Sequence, residues 1–482
     1  MAAALGALLA FASWSQQSGG DGKTAMQIPT QAGQSLLLRY PYLQTDTPRR
    51  MTIMWATARS GRGEVQYRRT GTRQWSNAKS EERKYPSSRT LLTQDLYQHE
   101  ATIDDLPPDA EFEYRVLHDG TVLAQGIPFK TLPEVGSNSV AFVALADFGT
   151  KYSTPRRVRD AIVKGAANGR WQYRHDFVVG VGDIAYYNGS FAEFDSNFFG
   201  QMSGKNDLGN GRQSLLTRRP FVAVLGNHEY RSDNENSIPE GFLESFSKPA
   251  SAGVPEDQRG RYYSFDSGPA HFVVLDSMKF QGRQSGGRQE MLNWLDRDLA
   301  ATKQRWRIVF LHHPPYAHGP HGSWGDAATN RRLRAELVPV LQKYGVQLAL
   351  NGHDHLYERT LRMTIDASSH IVREQGCRIV EDAKGTVFLT VGNGGDDLHG
   401  RGADNAPCGT DSFNRAMREY GEGYDFAAQR NGRSVIIDGR NVDPEVPAIR
   451  HGFTLVNVTD ARISAKAFNY EGALLDEFEI LP

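Results

Sequence analysis

The sequence has little cysteine, no excess charge of either sign and no apolar run that predicts a membrane span. Its 482 residues include two cysteines, Cys377 and Cys408, without a CxxC pair or a Cys/His cluster, which excludes zinc-ribbon and thioredoxin-like chemistry. Lys and Arg number 55 against 56 Asp and Glu, so no overall field attracts nucleic acid or an anionic membrane. We therefore expect no nucleic-acid partner, and any anion must be held locally.

The N-terminal segment, residues 1–34, predicts export. It opens with the apolar stretch MAAALGALLAFASW, too short to span a bilayer, and continues into a Gly-, Ser- and Gln-rich stretch that is typical of disorder. A secreted or periplasmic location is expected, and an ordinary cytosolic terminus is the alternative. In an exported protein Cys377 and Cys408 could form one disulfide; two unpaired thiols are the alternative.

Residues 35–133 predict a small β-sandwich. Short strand-like runs such as LLLRYPYLQ, RMTIMWAT and EFEYRVL alternate with turns, and no helical stretch separates them. The segment DLPPDAEFEYRVL (105–117) resembles the Leu-Pro turn and tyrosine corner of fibronectin type III modules, with Tyr114 as the corner tyrosine. We therefore expect an N-terminal all-β, fibronectin type III-like sandwich.

Residues 140–482 predict an α/β layered domain. After a Pro/Gly/Ser connector, buried apolar runs alternate with helical stretches such as RQEMLNWLDRDLAAT (288–302), whose apolar residues recur at helical spacing and predict core positions. The glycine-rich region 396–450 predicts an extended loop. A pair of strands, GFTLVNVTD and ARISAKAFN, is expected to close the domain.

Polar residues follow five of the apolar runs in this domain. Because ligands of open α/β sheets lie beyond the carboxyl ends of the strands, these segments are expected to deliver their polar residues to one rim. Singly, each residue has a plainer explanation, such as a helix cap, a turn residue or a buried core histidine. Because polar residues follow the strand in all five segments, a shared functional site is favoured. The residues are Asp147, Asp183, Asn227 with His228, His312, and His353 with His355.

This set of side chains has the chemistry of a metal site. Imidazole nitrogens, carboxylates and amide oxygens suit borderline and hard cations, and a dinuclear site needs a carboxylate that bridges both ions. His353 and His355 stand two apart at the end of an extended segment and therefore project from the same side. One imidazole is expected to serve each metal.

The five segments ADFG, GDIAY, GNHE, VFLH and GHDH resemble the signature blocks of the calcineurin-like metallophosphoesterases. The second block also matches the Gly-Asp-x-x-Tyr pattern of purple acid phosphatases through Gly182, Asp183 and Tyr186, and larger members of that family carry a sandwich in front. The resemblance implies a four-layer α/β metallophosphoesterase domain. Ala146 and Glu229 depart from common family residues, and neither departure removes a ligand.

The resemblance also implies two metals and their ligands. The first metal, usually iron(III), would be held by Asp147, Tyr186 and His355. The second, a divalent zinc, iron or manganese ion, would be held by Asn227, His312 and His353, with Asp183 bridging. A phenol ionises near neutral pH only beside a strong Lewis acid, so the assignment of Tyr186 as an iron(III) ligand is also chemically reasonable.

Neighbouring residues receive other interpretations. Tyr187 has the wrong spacing for a ligand and is interpreted as packing. His312 is preferred to His313 because Val309 sets the Val-x-x-His frame, and the reverse assignment is the alternative. Tyr357, Glu358 and Arg359 are expected to orient ligands or seal the floor of the site, and VGNGGDD (391–397) to form a glycine turn near the pocket.

The implied activity is hydrolysis of phosphate monoesters by attack of a metal-bound hydroxide, with Asp183 in the catalytic set. Asn227, His228 and His321 are expected to contact the phosphate, and His228 or His321 to act as general acid. His318 is interpreted as a solvated loop residue. The alternatives are phosphodiester or phosphotriester hydrolysis on the same metals, or a catalytically inert second domain behind a partner-binding sandwich.

Overall fold

The computed structural model describes residues 36–167, 175–203, 214–230, 237–282, 287–316, 321, 327–360, 362–365, 371–373, 385–398, 424–428, 435–437, 440–442 and 451–482. The predicted signal-like segment, both cysteines and His318 lie outside the described residues. Within these ranges, no helix has the length and apolarity that crossing a membrane requires.

The first part of the chain forms two four-stranded antiparallel sheets, with strand orders β1-β2-β6-β5 and β4-β3-β7-β8. Trp55, Val65, Tyr114 and Phe129 pack in the core between them. The strands are β1 Leu37–Gln44, β2 Met51–Thr57, β3 Gly63–Arg69, β4 Ser76–Lys79, β5 Glu81–Tyr85, β6 Leu96–Ile103, β7 Glu111–His118 and β8 Thr121–Lys130, and the short helix α1 is Ser87–Thr90. The predicted sandwich is confirmed.

Strands β4 and β5 escaped the sequence analysis because they carry no apolar alternation. Their sequences are SNAK and EERKY, and nearly all of their residues are exposed. Both lie at sheet edges, where one side has no neighbouring strand and charged residues prevent further pairing.

The second part of the chain contains a six-stranded sheet, β11-β10-β9-β23-β24-β25, and a seven-stranded sheet, β12-β13-β14-β15-β19-β16-β20. Two hairpins, β17-β18 and β21-β22, stand apart from them. The strands are β9 Ser139–Leu145, β10 Phe177–Val181, β11 Phe221–Val224, β12 Tyr263–Ser267, β13 Ala270–Val274, β14 Trp306–Phe310, β15 Leu348–Asn351, β16 Tyr357–Thr360, β17 Met363–Ile365, β18 Ile371–Arg373, β19 Val387–Val391, β20 Tyr424–Ala428, β21 Val435–Ile437, β22 Arg440–Val442, β23 Gly452–Thr459, β24 Ile463–Asn469 and β25 Leu474–Ile480.

Helices cover the outer faces of both sheets. The α-helices are α2 Thr154–Ala167, α3 Phe191–Glu193, α4 Gly200–Met202, α5 Glu240–Ser245, α6 Arg288–Ala301, α7 Ala327–Arg332 and α8 Val338–Lys343. Two π-helical stretches, Phe194–Phe199 and Leu333–Leu337, join α3 to α4 and α7 to α8, and 3₁₀ turns occupy Glu256–Gln258 and Ser277–Phe280. The predicted helix 288–302 is confirmed as α6, and its apolar face is buried.

The two sheets pack face to face between the helical layers. Along β9, Phe142 and Ala144 point into the core between the sheets, while Val143 and Leu145 point outward to the helices. On the other sheet, Ile308 faces inward. Successive strand side chains alternate between faces, and here both faces are buried, which explains the continuous apolar runs. The four-layer α/β domain is confirmed.

The C-terminal strands complete the six-stranded sheet. The predicted pair is confirmed as β23 and β24, and β23 pairs antiparallel with β9. The further strand β25 carries Asp476, which is buried and accepts hydrogen bonds from the hydroxyl of Tyr357 at 2.8 Å and from Nε of Arg359 at 2.7 Å. Tyr357 and Arg359 therefore join β16 to β25 across the two sheets.

The sandwich docks closely on the second domain. Leu43 and Pro220 form an isolated parallel bridge, and the hydroxyl of Tyr114 donates to the carbonyl of Thr217 at 3.0 Å. Buried Arg39 pairs with Asp195 on the π-helical stretch. The interpretation of Tyr114 as a tyrosine corner within the sandwich is therefore wrong, because its hydroxyl is used between the domains.

Candidate metal centre

The five strand ends singled out in the sequence meet at one edge. Strands β9, β10 and β11 are parallel neighbours in one sheet, and β14 and β15 are parallel neighbours in the other. The facing sheets are linked at this edge because Nδ1 of His312, after β14, donates to the carbonyl of Val181 at the end of β10, at 2.9 Å. The carboxyl ends of both sheets thus share one rim.

Left-handed backbone turns bring the polar side chains into this rim. Asp147, Asp183 and His353 have φ values of 57°, 52° and 70°, which are uncommon for residues with a side chain. Gly182 has a φ of 87°, and a Cβ built there would lie 2.3 Å from Nδ1 of His312. Strands β9, β10 and β15 therefore end in sharp turns rather than running on past the rim.

One half of the cluster is centred on His312. Its Nε2 lies 3.0 Å from Oδ1 of Asn227 and 3.2 Å from Oδ2 of Asp183. Ligand atoms of Asp183, His312 and His353 all lie within 4.8 Å of one another. Since Nδ1 of His312 is occupied by the Val181 carbonyl, its Nε2 is the atom that faces the cluster.

The other half is centred on Asp147. The hydroxyl of Tyr186 donates to Oδ1 of Asp147 at 3.2 Å and lies 3.1 Å from Nε2 of His355. Nε2 of His355 is also 3.6 Å from Oδ1 of Asp147. Nδ1 of His355 donates to the carbonyl of Asp397 at 2.7 Å, so Nε2 faces inward, as in His312. All seven predicted ligands therefore lie in one cluster.

The electrostatics of this cluster suit bound cations. Asp147 and Asp183 are buried, and in the described part of the chain only histidines lie within ion-pair distance of their carboxylates. Burial would lower the pKa of His312, but the carboxylates of Asp183 and Asp147 raise it to about 10. Buried anions without Lys or Arg partners require other positive charge, which metal ions supply. The donor set fits two cations.

A buried glutamate supports the loops that carry the ligands. The carboxylate of Glu229 accepts backbone hydrogen bonds from Asp183 at 3.0 Å and Ile184 at 2.8 Å, and from Gly226 at 2.7 Å. Glu229, which departs from the common family residue at this position, thus accepts hydrogen bonds from the loops after both β10 and β11.

A cavity of about 240 Å³ opens beside the cluster. The backbone N–H of His228 donates to Oδ1 of Asp183 at 3.0 Å, and its Nδ1 donates to the carbonyl of Tyr187 at 2.9 Å. The ring of His321 lies 4.1 Å from the ring of His353. Both histidines expected to contact phosphate therefore line the cavity. Its full lining is Asp183, Tyr186, Tyr187, Asn227, His228, Gln281, His321, His353, His355 and Asp396.

The structure distinguishes His312 from its neighbour. His313 is buried, and its Nδ1 pairs with the hydroxyl of Ser277 at 2.8 Å. The contacts with Asn227 and Asp183 belong to His312, in agreement with the frame that Val309 sets.

Other residues singled out in the sequence also have defined contacts. Tyr187 packs against the rings of Tyr186 and His228, but its side chain is also 53% exposed and lines the cavity. Tyr357 and Arg359 hydrogen-bond to Asp476 on β25. The glycine turn does lie against the site, because the N–H of Gly394 donates to the carbonyl of Ala146 at 3.0 Å.

The sequence analysis did not single out two residues of the cavity. Gln281 follows β13 only after the 3₁₀ turn Ser277–Phe280, so the strand-end pattern does not mark it. Asp396 follows the glycine turn, and its N–H donates to the carbonyl of Asp147 at 2.9 Å. No periodicity in the sequence marks Asp396, because its place depends on the turn folding back onto the loop after β9.

Comparison with known proteins agrees with this architecture. The family model of calcineurin-like phosphoesterases matches residues 141–357, and that of the purple acid phosphatase N-terminal domain matches residues 40–131. Purple acid phosphatase 17 of Arabidopsis thaliana is 29% identical over 232 residues, which cover 46% of this chain and 64% of that protein.

Two further relatives extend the comparison. An uncharacterized protein of Mycobacterium tuberculosis is 26% identical over 378 residues, covering 73% of this chain and 65% of its own length. The solved structure of a purple acid phosphatase from yellow lupin seeds superposes with a TM-score of 0.65 at 18% identity, covering 95% of this chain and 74% of that one. The chain thus spans slightly less than two thirds of the length of the two curated relatives.

The two family models together match more than half of the chain, in the order sandwich and then phosphoesterase domain. The first covers the strands of the sandwich, and the second begins in β9 and ends at the start of β16. The chain belongs to the calcineurin-like metallophosphoesterase superfamily as a purple acid phosphatase-like member.

Proposed function

We propose that this protein is a binuclear metal-dependent phosphatase that hydrolyses phosphate monoesters. The observation that carries the proposal is the buried cluster of seven donor side chains, without a Lys or Arg counter-ion among the described residues, beside a cavity lined by two further histidines. Asp147, Tyr186 and His355 would hold iron(III), Asn227, His312 and His353 a divalent zinc, iron or manganese ion, and Asp183 would bridge the two.

When bound, such metals lower the pKa of water to generate the nucleophile and polarise the phosphoryl oxygens. The chain's own contribution is to fix the ligands before substrate arrives. The carbonyls of Val181 and Asp397 each hold one imidazole with Nε2 inward, and these contacts set the tautomers of His312 and His355.

The remaining residues bind the ester and handle the leaving-group proton. His228 and His321 line the cavity, where protonated imidazoles would donate hydrogen bonds to phosphate oxygens. Nδ1 of His228 is engaged by the Tyr187 carbonyl, so its Nε2 would carry the proton to be donated to the leaving alkoxide. His321 is the other candidate for this proton transfer.

The size of the cavity favours a compact ester. Its volume of about 240 Å³ accommodates a phosphate group and a small alcohol, and is below the range of about 300 to 1,000 Å³ that is usual for drug-sized ligands. Monoester hydrolysis is therefore preferred to hydrolysis of diesters or triesters with two large arms. Parallel assays with a chromogenic monoester and diester test this choice, and a markedly higher diester rate would overturn it.

The experiment that tests the metal assignment is the visible absorption spectrum of protein purified without chelators. A broad band in the wild-type protein that disappears in Tyr186→Phe supports tyrosinate bound to iron(III). The matched control is Tyr187→Phe, which removes the neighbouring hydroxyl and should retain the band. A colourless, metal-loaded and active protein would retain the hydrolase but reject iron(III) at the first site.

The inert alternative is tested with Asp183→Asn. Loss of hydrolysis in this variant, together with retained hydrolysis in a control with an exposed substitution such as Asp257→Asn, supports catalysis by this chain. Equal hydrolysis in both preparations would indicate a contaminating phosphatase.

A further inference from the structure

The carboxylate of Asp396 lines the cavity but does not belong to the cluster of donors. Asp396 is 8% exposed, and its Oδ2 lies 3.8 Å from Nδ1 of His355. That nitrogen already donates to the carbonyl of Asp397, so Asp396 does not orient the imidazole. In the described ranges, no Lys or Arg lies within ion-pair distance of Asp396. Among the described residues, the largely buried carboxylate of Asp396 therefore faces the cavity with histidines, and no Lys or Arg, as its basic neighbours.

Such a carboxylate is unfavourable in a cavity that admits only phosphate. Asp396 would repel a phosphate dianion, and burying an unpaired charge costs free energy. Iron(III) and a divalent ion would carry five positive charges against three negative charges on Asp147, Asp183 and Tyr186, and the phosphate and the metal-bound nucleophile would take up the difference. A substrate that brings its own positive charge next to the phosphate would remove both penalties.

Aromatic side chains lie next to this carboxylate at the mouth of the cavity. Tyr187 is 53% exposed, and its ring centroid lies 5.5 Å from that of Tyr186 and 5.9 Å from that of His228. Tyr187 and Asp396 line the same cavity, and Tyr152, which is 41% exposed, lies near Tyr187. Exposed tyrosine faces beside a carboxylate form the chemical environment that binds alkylammonium groups.

We propose that the preferred substrates are phosphate monoesters whose alcohol carries an ammonium group a short chain away from the phosphate, with Asp396 and the face of Tyr187 binding the cation. The inference rests on the proposed phosphatase function and specifies its substrate class. Hydrolysis of such an ester adds water across the phosphorus–oxygen bond and releases inorganic phosphate and the ammonium-bearing alcohol.

The test compares phosphocholine with dimethylbutyl phosphate, its neutral isostere in which carbon replaces nitrogen. Both esters use the same centre and have the same shape, so the ratio of their kcat/KM values isolates the contribution of the positive charge. We expect wild-type protein to favour phosphocholine by about tenfold or more, as for a hydrogen-bonded or ion-paired charge. A ratio near one, with both esters hydrolysed, would overturn the inference and leave the phosphatase intact.

Variants then locate the recognition. Asp396→Asn should bring the ratio close to one, whereas the exposed and charge-matched Asp460→Asn should leave it unchanged. Tyr187→Ala should lower the ratio by about two- to fivefold, and Tyr187→Phe, which keeps an aromatic face, should preserve it. If Asp396→Asn lowers both rates equally, Asp396 supports the metal centre and the inference is wrong.

Failure of the proposed function has a different signature. In that case metal-loaded wild-type protein would hydrolyse neither ester, nor a chromogenic aryl phosphate assayed beside them. The wild-type ratio needs no variant, so the inference can be rejected even if Asp396→Asn does not fold.

Discussion

The carboxylate of Glu229 accepts the backbone N–H of Asp183, with 3.0 Å between nitrogen and Oε2. Its two oxygens also accept the N–H groups of Ile184, Ala185 and Gly226, at 2.8, 3.0 and 2.7 Å. One buried side chain therefore satisfies four backbone donors in the loops that follow β10 and β11. The position of the candidate bridging carboxylate depends on this contact.

Replacing Glu229 with alanine should strongly destabilise the protein. Glu229→Ala leaves four buried donors without their acceptor, and at about 1 to 3 kcal/mol for each unsatisfied group we expect a loss of about 4 kcal/mol or more. Urea denaturation measures this change in the free energy of unfolding. The control, Glu256→Ala, removes a side chain that is 89% exposed and should cost less than about 0.5 kcal/mol. Equal effects in the two variants would contradict the supporting role.

Gly182 should tolerate no side chain, for a reason beyond its backbone angle. Gly182 and Gly71 have φ values of 87° and 86°, but a Cβ at Gly182 would lie 2.3 Å from Nδ1 of His312, whereas a Cβ at Gly71 meets nothing within 4 Å. Gly71→Ala should therefore cost only the strain of about 1 to 2 kcal/mol. Gly182→Ala should cost more and also displace His312.

The affinity for Zn²⁺, measured by isothermal titration calorimetry, reports whether His312 is displaced. Gly182→Ala should bind zinc at least about tenfold more weakly than wild type, while Gly71→Ala should bind it normally. Normal zinc affinity in both variants would show that His312 keeps its position and would contradict the expected clash.

The five strand ends were predictable because each combines a strong local signal with a general rule. A continuous apolar run such as the one before Asp183 marks a strand buried on both faces, and parallel strands place their carboxyl ends at one rim. The side chains that depend on long-range folding were not predictable. Asp396 reaches the cavity only because its turn packs on the loop at Asp147, and Tyr114 bonds Thr217 more than a hundred residues away.

His271 should make stability depend on pH. Its Nδ1 and Nε2 lie 2.6 Å from Asp266 and 2.9 Å from Asp298. Burial alone would lower the pKa of His271, but the two carboxylates raise it from 6.5 to about 9. The folded state thus binds the proton of His271 more tightly than the unfolded state does. The resulting contribution to the free energy of unfolding is complete below the unfolded pKa of 6.5 and is lost as the pH rises through about 9.

The expected loss is roughly 3 kcal/mol between about pH 6 and pH 10. Urea denaturation across this range, in wild type and His271→Gln, isolates the contribution because all other titrating groups are common to both proteins. Parallel pH profiles for the two proteins would show that His271 is not charged in the folded state.

Arg39 should couple the sandwich to the second domain. It is 1% exposed, pairs with Asp195, and donates from Nη1 to Ser245 Oγ at 3.0 Å. Arg39→Met breaks a buried pair across the interface and should cost about 3 kcal/mol or more. The control is Arg462→Met, whose partner Glu479 and own side chain are each 49% exposed, and it should cost less than about 1 kcal/mol.

Calorimetry and a double-mutant cycle test this coupling. In Arg39→Met the sandwich should unfold at a lower temperature than in wild type, and Asp195→Ala added to it should cost less than Asp195→Ala alone. Additive effects of the two substitutions would show that the pair does not hold the domains together.

Metal removal should destabilise the protein, because the buried carboxylates of Asp147 and Asp183 then depend on histidines alone for positive charge. Metal that binds only the folded state contributes about 4 kcal/mol when its free concentration is a thousandfold above Kd. Chelation followed by Zn²⁺ addition should lower and then restore the unfolding temperature of wild type. Asp183→Asn loses a charged oxygen ligand, so its response should be much smaller, while the exposed control Asp257→Asn should respond as wild type does. If Zn²⁺ raises the unfolding temperature of Asp183→Asn as much as that of wild type, the carboxylate of Asp183 is not a metal ligand. Neutralising a ligand that joins two ions should weaken the binding of both.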